Sequence, residues 1–296
     1  MKKTAFVLTN GMYTSSDAKT AHGLVRGTER FLITGVIDEE ATTGKDAGAL
    51  LDGVHRGIPI YANLDAAWQS HPETAVLVIG VATVGGVLPA DMLVIVKAAI
   101  EKGLSIVNGL HDYLSDHADI VDLANKKGVS LTDIRKPKKR ADLHFFTGDI
   151  FKLSTPVIAV IGMDCAMGKR TTAGLLKEAC AKEQIKTEMI YTGQTGWLQG
   201  NQYGFVFDST LNDFVSGELE NAILSCAREA NPSIMFLEGQ SALRNPSGPC
   251  GLEFLISGNA KYTILVFAPK RIYFDNEPHW GKIPSVESEM EIIEKF

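Results

Sequence analysis

PVIAVIGMDCAMGKRTTAGLLKEACA, residues 156–181, reads as an apolar strand, a glycine-bearing loop and an amphipathic helix in immediate succession. Val157–Ile161 is an uninterrupted apolar run rich in β-branched residues, the pattern of a strand buried on both faces. Thr171–Gln184 repeats its apolar positions at helical spacing. A helix that opens straight after a strand aims free backbone N–H groups and a positive dipole end at one point, which is where an anion binds. Gly162 and Gly168 let the backbone curl around that anion with no Cβ in the way. Lys169 follows as the point charge for the outer phosphates. The loop departs from G-x-x-x-x-G-K-[ST] in two respects. Five residues separate its glycines, and Arg170 stands where a magnesium-holding hydroxyl is usual. Thr171 and Thr172 come next and can supply that hydroxyl. The safer expectation is a phosphorylated cofactor without metal-dependent hydrolysis, and no metal site is expected. Arg170 is read either as a phosphate contact or as a solvated helix residue. Asp164 and Cys165 lie inside the loop. Cys165, near a helix start, can be a nucleophile of lowered pKa; the plainer reading is that a small side chain fits there.

On either side of this unit, short apolar runs alternate with amphipathic stretches. Strands are predicted at Thr4–Leu8, Leu32–Val36, Ala75–Ile79, Ser105–Val107 and Val129–Thr132, and then, beyond Val157–Ile161, at Thr187–Tyr191, Ile234–Leu237 and Tyr262–Phe267. Helices are predicted at stretches such as Asp91–Lys102. That alternation gives an α/β fold of parallel sheets covered by helices. Residues 1–135 are expected to form a Rossmann-like domain, 136–155 a linker holding the basic run RKPKKR (135–140), and 156–296 a P-loop NTPase-like domain.

With 45% hydrophobic and 22% charged residues, the 296-residue chain is an ordinary globular sequence, and its net charge of −6 argues against a nucleic-acid surface. Four dispersed cysteines form no C-x-x-C pair and suit a reducing compartment. No apolar run approaches the roughly 18 residues of a membrane span, and the start MKKTAFVLTNG has too short an apolar core for a signal peptide. A cytoplasmic protein without a membrane or nucleic-acid partner, assembled as a homo-oligomer, is the expectation.

Other segments offer site residues. Glu238 ends the strand Ile234–Leu237, where a carboxylate sits beside a phosphate loop as base or metal ligand, and Gln240 follows it. TGQTGW (192–197) lets a ligand approach its two glycines, with Gln194 and Thr195 placed to orient a carboxylate or amide. Asp213 is read as an N-cap or a substrate contact. In the first half, Lys45 and Asp46 either cap a helix or grip a small polar ligand, and His111 beside Asp112 can transfer protons near pH 7.

Taken together, GKDAGALLDG (44–53), RGIPI (56–60), GLHDYLSDH (109–117), RKP (135–137), GMDCAMGK (162–169), GQTGW (193–197), DFVSGELE (213–220) and EGQSAL (238–243) resemble a two-domain family long catalogued as of unknown function and represented by D-glutamate N-acetyltransferase. The resemblance spans nearly the whole chain. The loop and Glu238 also look like dethiobiotin synthetase, from which Arg170 departs. The family resemblance implies acetyl transfer from acetyl-CoA to the amino group of D-glutamate or a similar amino acid, in D-amino-acid catabolism. Glu238, Asp213 or His111 would be the base, and the loop would hold the pyrophosphate. The alternative is an ATP/Mg-dependent ligase or kinase of the dethiobiotin-synthetase type. A non-enzymatic sensor of a nucleotide or coenzyme ranks below both. An NAD-dependent oxidoreductase comes last, because no G-x-G-x-x-G follows the first strand.

Overall fold

The computed structural model describes residues 2–296. Two compact units divide between Lys136 and Pro137, with Leu198–Gly200 belonging to the first. In the first unit the strands are β1 (Lys3–Leu8), β2 (Phe31–Ile37), β3 (Ile60–Tyr61), β4 (Val76–Ile79), β5 (Ser105–Asn108) and β6 (Leu131–Asp133). Helices α1 (Lys19–Arg26), α2 (Ala47–Asp52), α3 (Leu64–Ser70), α4 (Ala90–Glu101) and α5 (Ala118–Lys127) alternate with them. All strands run parallel in the order β3-β2-β1-β4-β5-β6. The sheet is therefore Rossmann-like, with its order reversing between β1 and β4. All four residues of β4 are buried, as a strand covered on both faces requires.

A dinucleotide fold presents an acid after its second strand to hold a ribose. Here that acid, Asp38, is occupied by its own chain. One carboxylate oxygen accepts the Thr9 hydroxyl at 2.7 Å and the N–H groups of Gly11 and Tyr13 at 2.9 and 3.1 Å. The other accepts the Thr42 hydroxyl at 2.7 Å. The carboxylate thus organises the loop after β1, which fits the missing glycine fingerprint.

The second unit contains β7 (Val157–Gly162), β8 (Thr187–Tyr191), β9 (Tyr203–Gly204), β10 (Ile234–Glu238) and β11 (Tyr262–Val266), with helices α6 (Lys169–Lys182), α7 (Gln194–Leu198, whose last residue is grouped with the first unit), α8 (Asn212–Ala230), α9 (Leu252–Ile256) and α10 (Val286–Ile293). This sheet is also parallel, ordered β11-β7-β10-β8-β9. Alternate residues of β7 serve opposite cores. Val157, Ala159 and Ile161 pack with Leu219, Ile223 and Cys226 of α8, while Val160 packs with Ala173 of α6 and Phe236 of β10. Both faces are apolar, which is why the sequence shows a continuous run. The two-residue strands β3 and β9 are too short to carry a period and have no counterpart in the sequence reading. Among the described residues no helix is long and apolar enough to cross a membrane.

Residues 137–155 are strapped along α8 within the second unit. Two buried carboxylates hold them. Glu218 accepts the Lys138 ammonium at 2.6 Å and the backbone N–H of His144 at 2.9 Å. Glu220 accepts Thr147 N–H at 2.6 Å and Ile150 N–H at 3.2 Å. Immediately before these acids stands Gly217, whose absent Cβ would lie 2.0 Å from the His144 carbonyl oxygen. The substitution Gly217→Ala is expected to destabilise the protein by at least the ~1–3 kcal/mol of an overpacked contact. Urea unfolding measures this, and an unchanged midpoint would show that the strap yields freely.

Candidate functional site

The end of β7, the start of α6 and the ends of β8 and β10 meet at the loop 162–169. Sheet order makes this possible, since β7 is flanked by β10 on one side and β11 on the other. Gly168 takes φ 96°, a left-handed conformation that favours glycine, and from it α6 starts at Lys169, two residues earlier than the helical period places it. The first N–H groups of α6 have no intrahelical acceptors by geometry, so the loop can cradle an anion.

Lys169 is 7% exposed and turns inward. Its ammonium donates to the carbonyls of Asp164 and Ser241, each at 2.7 Å. Burial lowers its pKa from the usual 10.5, while nearby groups including Asp164 and Glu238 oppose that shift. A Cβ on Gly162 would meet the Lys169 stem at 3.1 Å, so this glycine is the slot in which the lysine lies.

Asp164 is fully buried and shapes the loop from within. Its carboxylate accepts Asn245 Nδ2 at 2.7 Å, Arg271 Nη1 at 2.9 Å and the Asp275 N–H at 2.9 Å. Arg271 also donates to the Cys165 carbonyl at 2.6 Å. The sequence places Asp164 in the loop as a cofactor-binding residue; the structure makes its carboxylate the internal post to which distant segments are tied. Ser241, Asn245, Arg271 and Asp275 escaped the sequence reading because they join the loop from about 75 to 110 residues away. Only Ser241 lay inside a recognised segment, EGQSAL.

Cys165 is half-buried in the loop. Burial pushes its thiol above the usual 9.0, against a smaller opposing effect of the Ser241 hydroxyl 3.4 Å away. Cys165 is expected to react with an aromatic disulfide reagent at pH 8 at least roughly tenfold more slowly than free cysteine. Reaction at the free-cysteine rate, followed in a variant retaining only this thiol, would contradict the burial argument.

Glu238 closes the other side. It is 4% exposed, and one carboxylate oxygen accepts the Thr192 N–H at 3.0 Å. Burial raises its pKa above the ordinary 4.5, opposed first by the charge of Arg170 and then by backbone N–H groups and Lys169. Arg170 therefore bears on the site electrostatically. Thr192 bonds back through its hydroxyl to the Glu238 carbonyl at 2.7 Å, and Gln240 Nε2 donates to that hydroxyl at 2.9 Å. Gln194 and Thr195 are buried at the start of α7. A Cβ on Gly196 would lie 2.4 Å from Tyr191 Cβ and 3.0 Å from the Glu238 carboxylate, so this glycine lets α7 pack onto the acid. Thr171 and Thr172 occupy the first turn of α6.

Asp213 is exposed in the first turn of α8, and Leu211 is the N-cap residue, so the N-cap reading of Asp213 is corrected. Lys45, Asp46 and His111 belong to the first unit. Lys45 donates to the Ala41 carbonyl at 2.9 Å. Asp46 is the N-cap of α2 and accepts the N–H groups of Ala49, Arg56 and Ile58. Burial works to raise its pKa, but those three donors hold it down at about 2. Its capping alternative is thus realised. His111 donates its N–H to Gly86, and the Asp112 carboxylate pairs with His117 at 2.7 Å.

Comparison with known proteins agrees with this architecture. A 2.30 Å crystal structure of a DUF1611 family protein from Anabaena variabilis superposes with a TM-score of 0.89 at 28% identity, covering 99% of this chain and 82% of that one. A D-glutamate N-acetyltransferase from Pseudoalteromonas sp is 32% identical over 73% of this chain and 62% of its own length. Another from Tritonibacter scottomollicae is 28% identical over 71% and 61%. The chain thus spans less than two thirds of those relatives' length. Residues 40–137 match the Rossmann-like domain of unknown function DUF1611_N, and residues 144–296 match the P-loop domain of unknown function DUF1611_C. With both domains present in this order, the chain belongs to the DUF1611 family.

Proposed function

We propose that this protein is an N-acetyltransferase that moves the acetyl group of acetyl-CoA to the amino group of D-glutamate or a similar amino acid. The observation that carries the reading is Glu238, a buried carboxylate of raised pKa set beside a phosphate loop and the charge of Arg170. The relatives named D-glutamate N-acetyltransferase support it. An amino acid arrives as an ammonium and must lose a proton before its nitrogen can attack. A general base works best when its pKa approaches the operating pH, and burial moves Glu238 in that direction. Glu238 is preferred as the base because it combines burial with a fixed hydrogen bond from the Thr192 N–H, within the unit that carries the loop.

In this scheme the loop and Lys169 hold the pyrophosphate. The amino nitrogen forms a bond to the acetyl carbon, the carbon–sulfur bond breaks, and coenzyme A leaves as its thiol or thiolate. Glu238 takes the proton from nitrogen. Gln194, Thr195 and Gln240 orient the acceptor, whose carboxylates suit Arg170. The reaction hydrolyses no phosphate, so it is indifferent to the missing hydroxyl after Lys169.

The test is thiol release from acetyl-CoA by purified protein with D-glutamate, L-glutamate or no acceptor. Acceptor-dependent release supports the transferase. Phosphate release from Mg-ATP with no acetyl-CoA turnover would replace it with the ligase or kinase reading, for which Thr171 or Thr172 would supply the metal hydroxyl.

A further inference from the structure

A groove of about 300 Å³ opens beside the phosphate loop, on the side away from Glu238. One wall is the loop itself, through Met163 and Met167; the other follows β11 and includes Phe267, Arg271 and Ile272, with Lys282 at the rim. Phe267 and Ile272 are 49% and 58% exposed, an unusual placement of apolar surface next to an anion site. Arg271 is committed to the loop through Asp164 and Cys165. Lys282 is exposed, and among the described residues no carboxylate pairs with it.

Sheet order fixes what this groove can receive. The loop follows β7; Glu238 ends the neighbour on one side, and the groove wall follows the neighbour on the other. Coenzyme A has a pyrophosphate near its middle, a reactive thioester at one end and adenosine at the other. With the pyrophosphate on the loop and the thioester directed to Glu238, the adenosine is left to the β11 side. The walls suit it: methionine sulfur and a phenyl ring both pack well against a flat heteroaromatic base, and a rim ammonium suits a phosphate on the ribose.

We propose that this groove is the adenosine subsite, with the base between Met163, Met167 and the Phe267–Ile272 wall, and with Lys282 recognising the ribose 3′-phosphate. The assignment rests on the acetyl-CoA reading above. Titration calorimetry with coenzyme A and 3′-dephospho-coenzyme A tests it, using the full chain and its Lys282→Met and Ile272→Glu variants.

The parent protein is expected to prefer coenzyme A by roughly two- to fivefold, the range of one exposed charge contact to a phosphate. Lys282→Met should erase that preference while leaving dephospho-coenzyme A binding unchanged. Ile272→Glu, which puts a charge into the base slot, should weaken both ligands by more than about tenfold. Should coenzyme A bind the parent and both variants equally, the adenosine subsite is overturned while the acetyltransferase reading stands. No coenzyme A binding to the parent overturns both. Both substitutions are at exposed positions, and Lys282→Met tests the phosphate contact even if Ile272→Glu impairs folding.

Discussion

Lys169→Ala is expected to weaken coenzyme A binding by about tenfold to a hundredfold and to lower stability at the same time. The ligand effect follows from losing a charge-assisted hydrogen bond to phosphate, about 1.5–3 kcal/mol. The stability effect has a different origin. The Lys169 ammonium satisfies the carbonyls of Asp164 and Ser241 at 2.7 Å. Alanine leaves two acceptors in a largely closed site, and an orphaned buried acceptor costs about 1–3 kcal/mol. Calorimetry and urea unfolding separate the two effects. Undiminished ligand affinity would mean that the loop does not carry the phosphates, and the proposed function would lose its anchor. Undiminished stability would mean that water replaces the ammonium between the carbonyls.

Glu238→Gln is expected to reduce acetyl transfer by about 10²–10⁴-fold, the usual contribution of a positioned general base. It should also change how stability depends on pH, and the sign follows from linkage. Burial sets the folded-state pKa of Glu238 above its ordinary 4.5. Below 4.5 the carboxyl is protonated whether the chain is folded or not, and its contribution to stability is complete. As pH rises from 4.5 through the raised value, the unfolded chain ionises freely while the folded chain must place a charge in a buried site. The contribution is therefore lost over that window. Glutamine keeps the shape and an oxygen for the Thr192 N–H but cannot titrate. The parent should lose melting temperature relative to the variant as pH rises through the window, and the two curves should run parallel outside it. Parallel curves throughout would show that Glu238 ionises as it does in water. Retained turnover would move the base to Asp213 or His111.

The two predictions address opposite sides of the site, and they differ in how far they were readable before the fold was known. Lys169 and the glycines around it were legible because strand, loop and helix are contiguous, and local geometry alone directs N–H groups at an anion. Glu238 was legible as a carboxylate at a strand end. Its environment was not, since Thr192, Arg170 and Lys169 reach it only because β10 lies between β7 and β8. Cys165 shows the same limit from the other direction. Its position near a helix start favours a thiolate, yet burial beside Ser241 raises its pKa. Desolvation is a property of what surrounds a group, and adjacent residues in the chain do not report it.

The alternation of apolar strands and amphipathic helices was enough to establish two parallel α/β units and to place the phosphate loop at the start of α6. Periodicity and glycine position act over a few residues, so they survive in a linear reading. Other features depend on contacts between residues far apart in the chain. The strap at 137–155 exists because Glu218 and Glu220 are buried on α8 and Gly217 leaves room for it. Asp164 is an internal post because Asn245, Arg271 and Asp275 converge on it. The groove beside Met163 and Met167 exists because the segment after β11 lies alongside the loop. Strand order sets these long-range meetings, and it arises from the packing of whole elements, which no local pattern encodes.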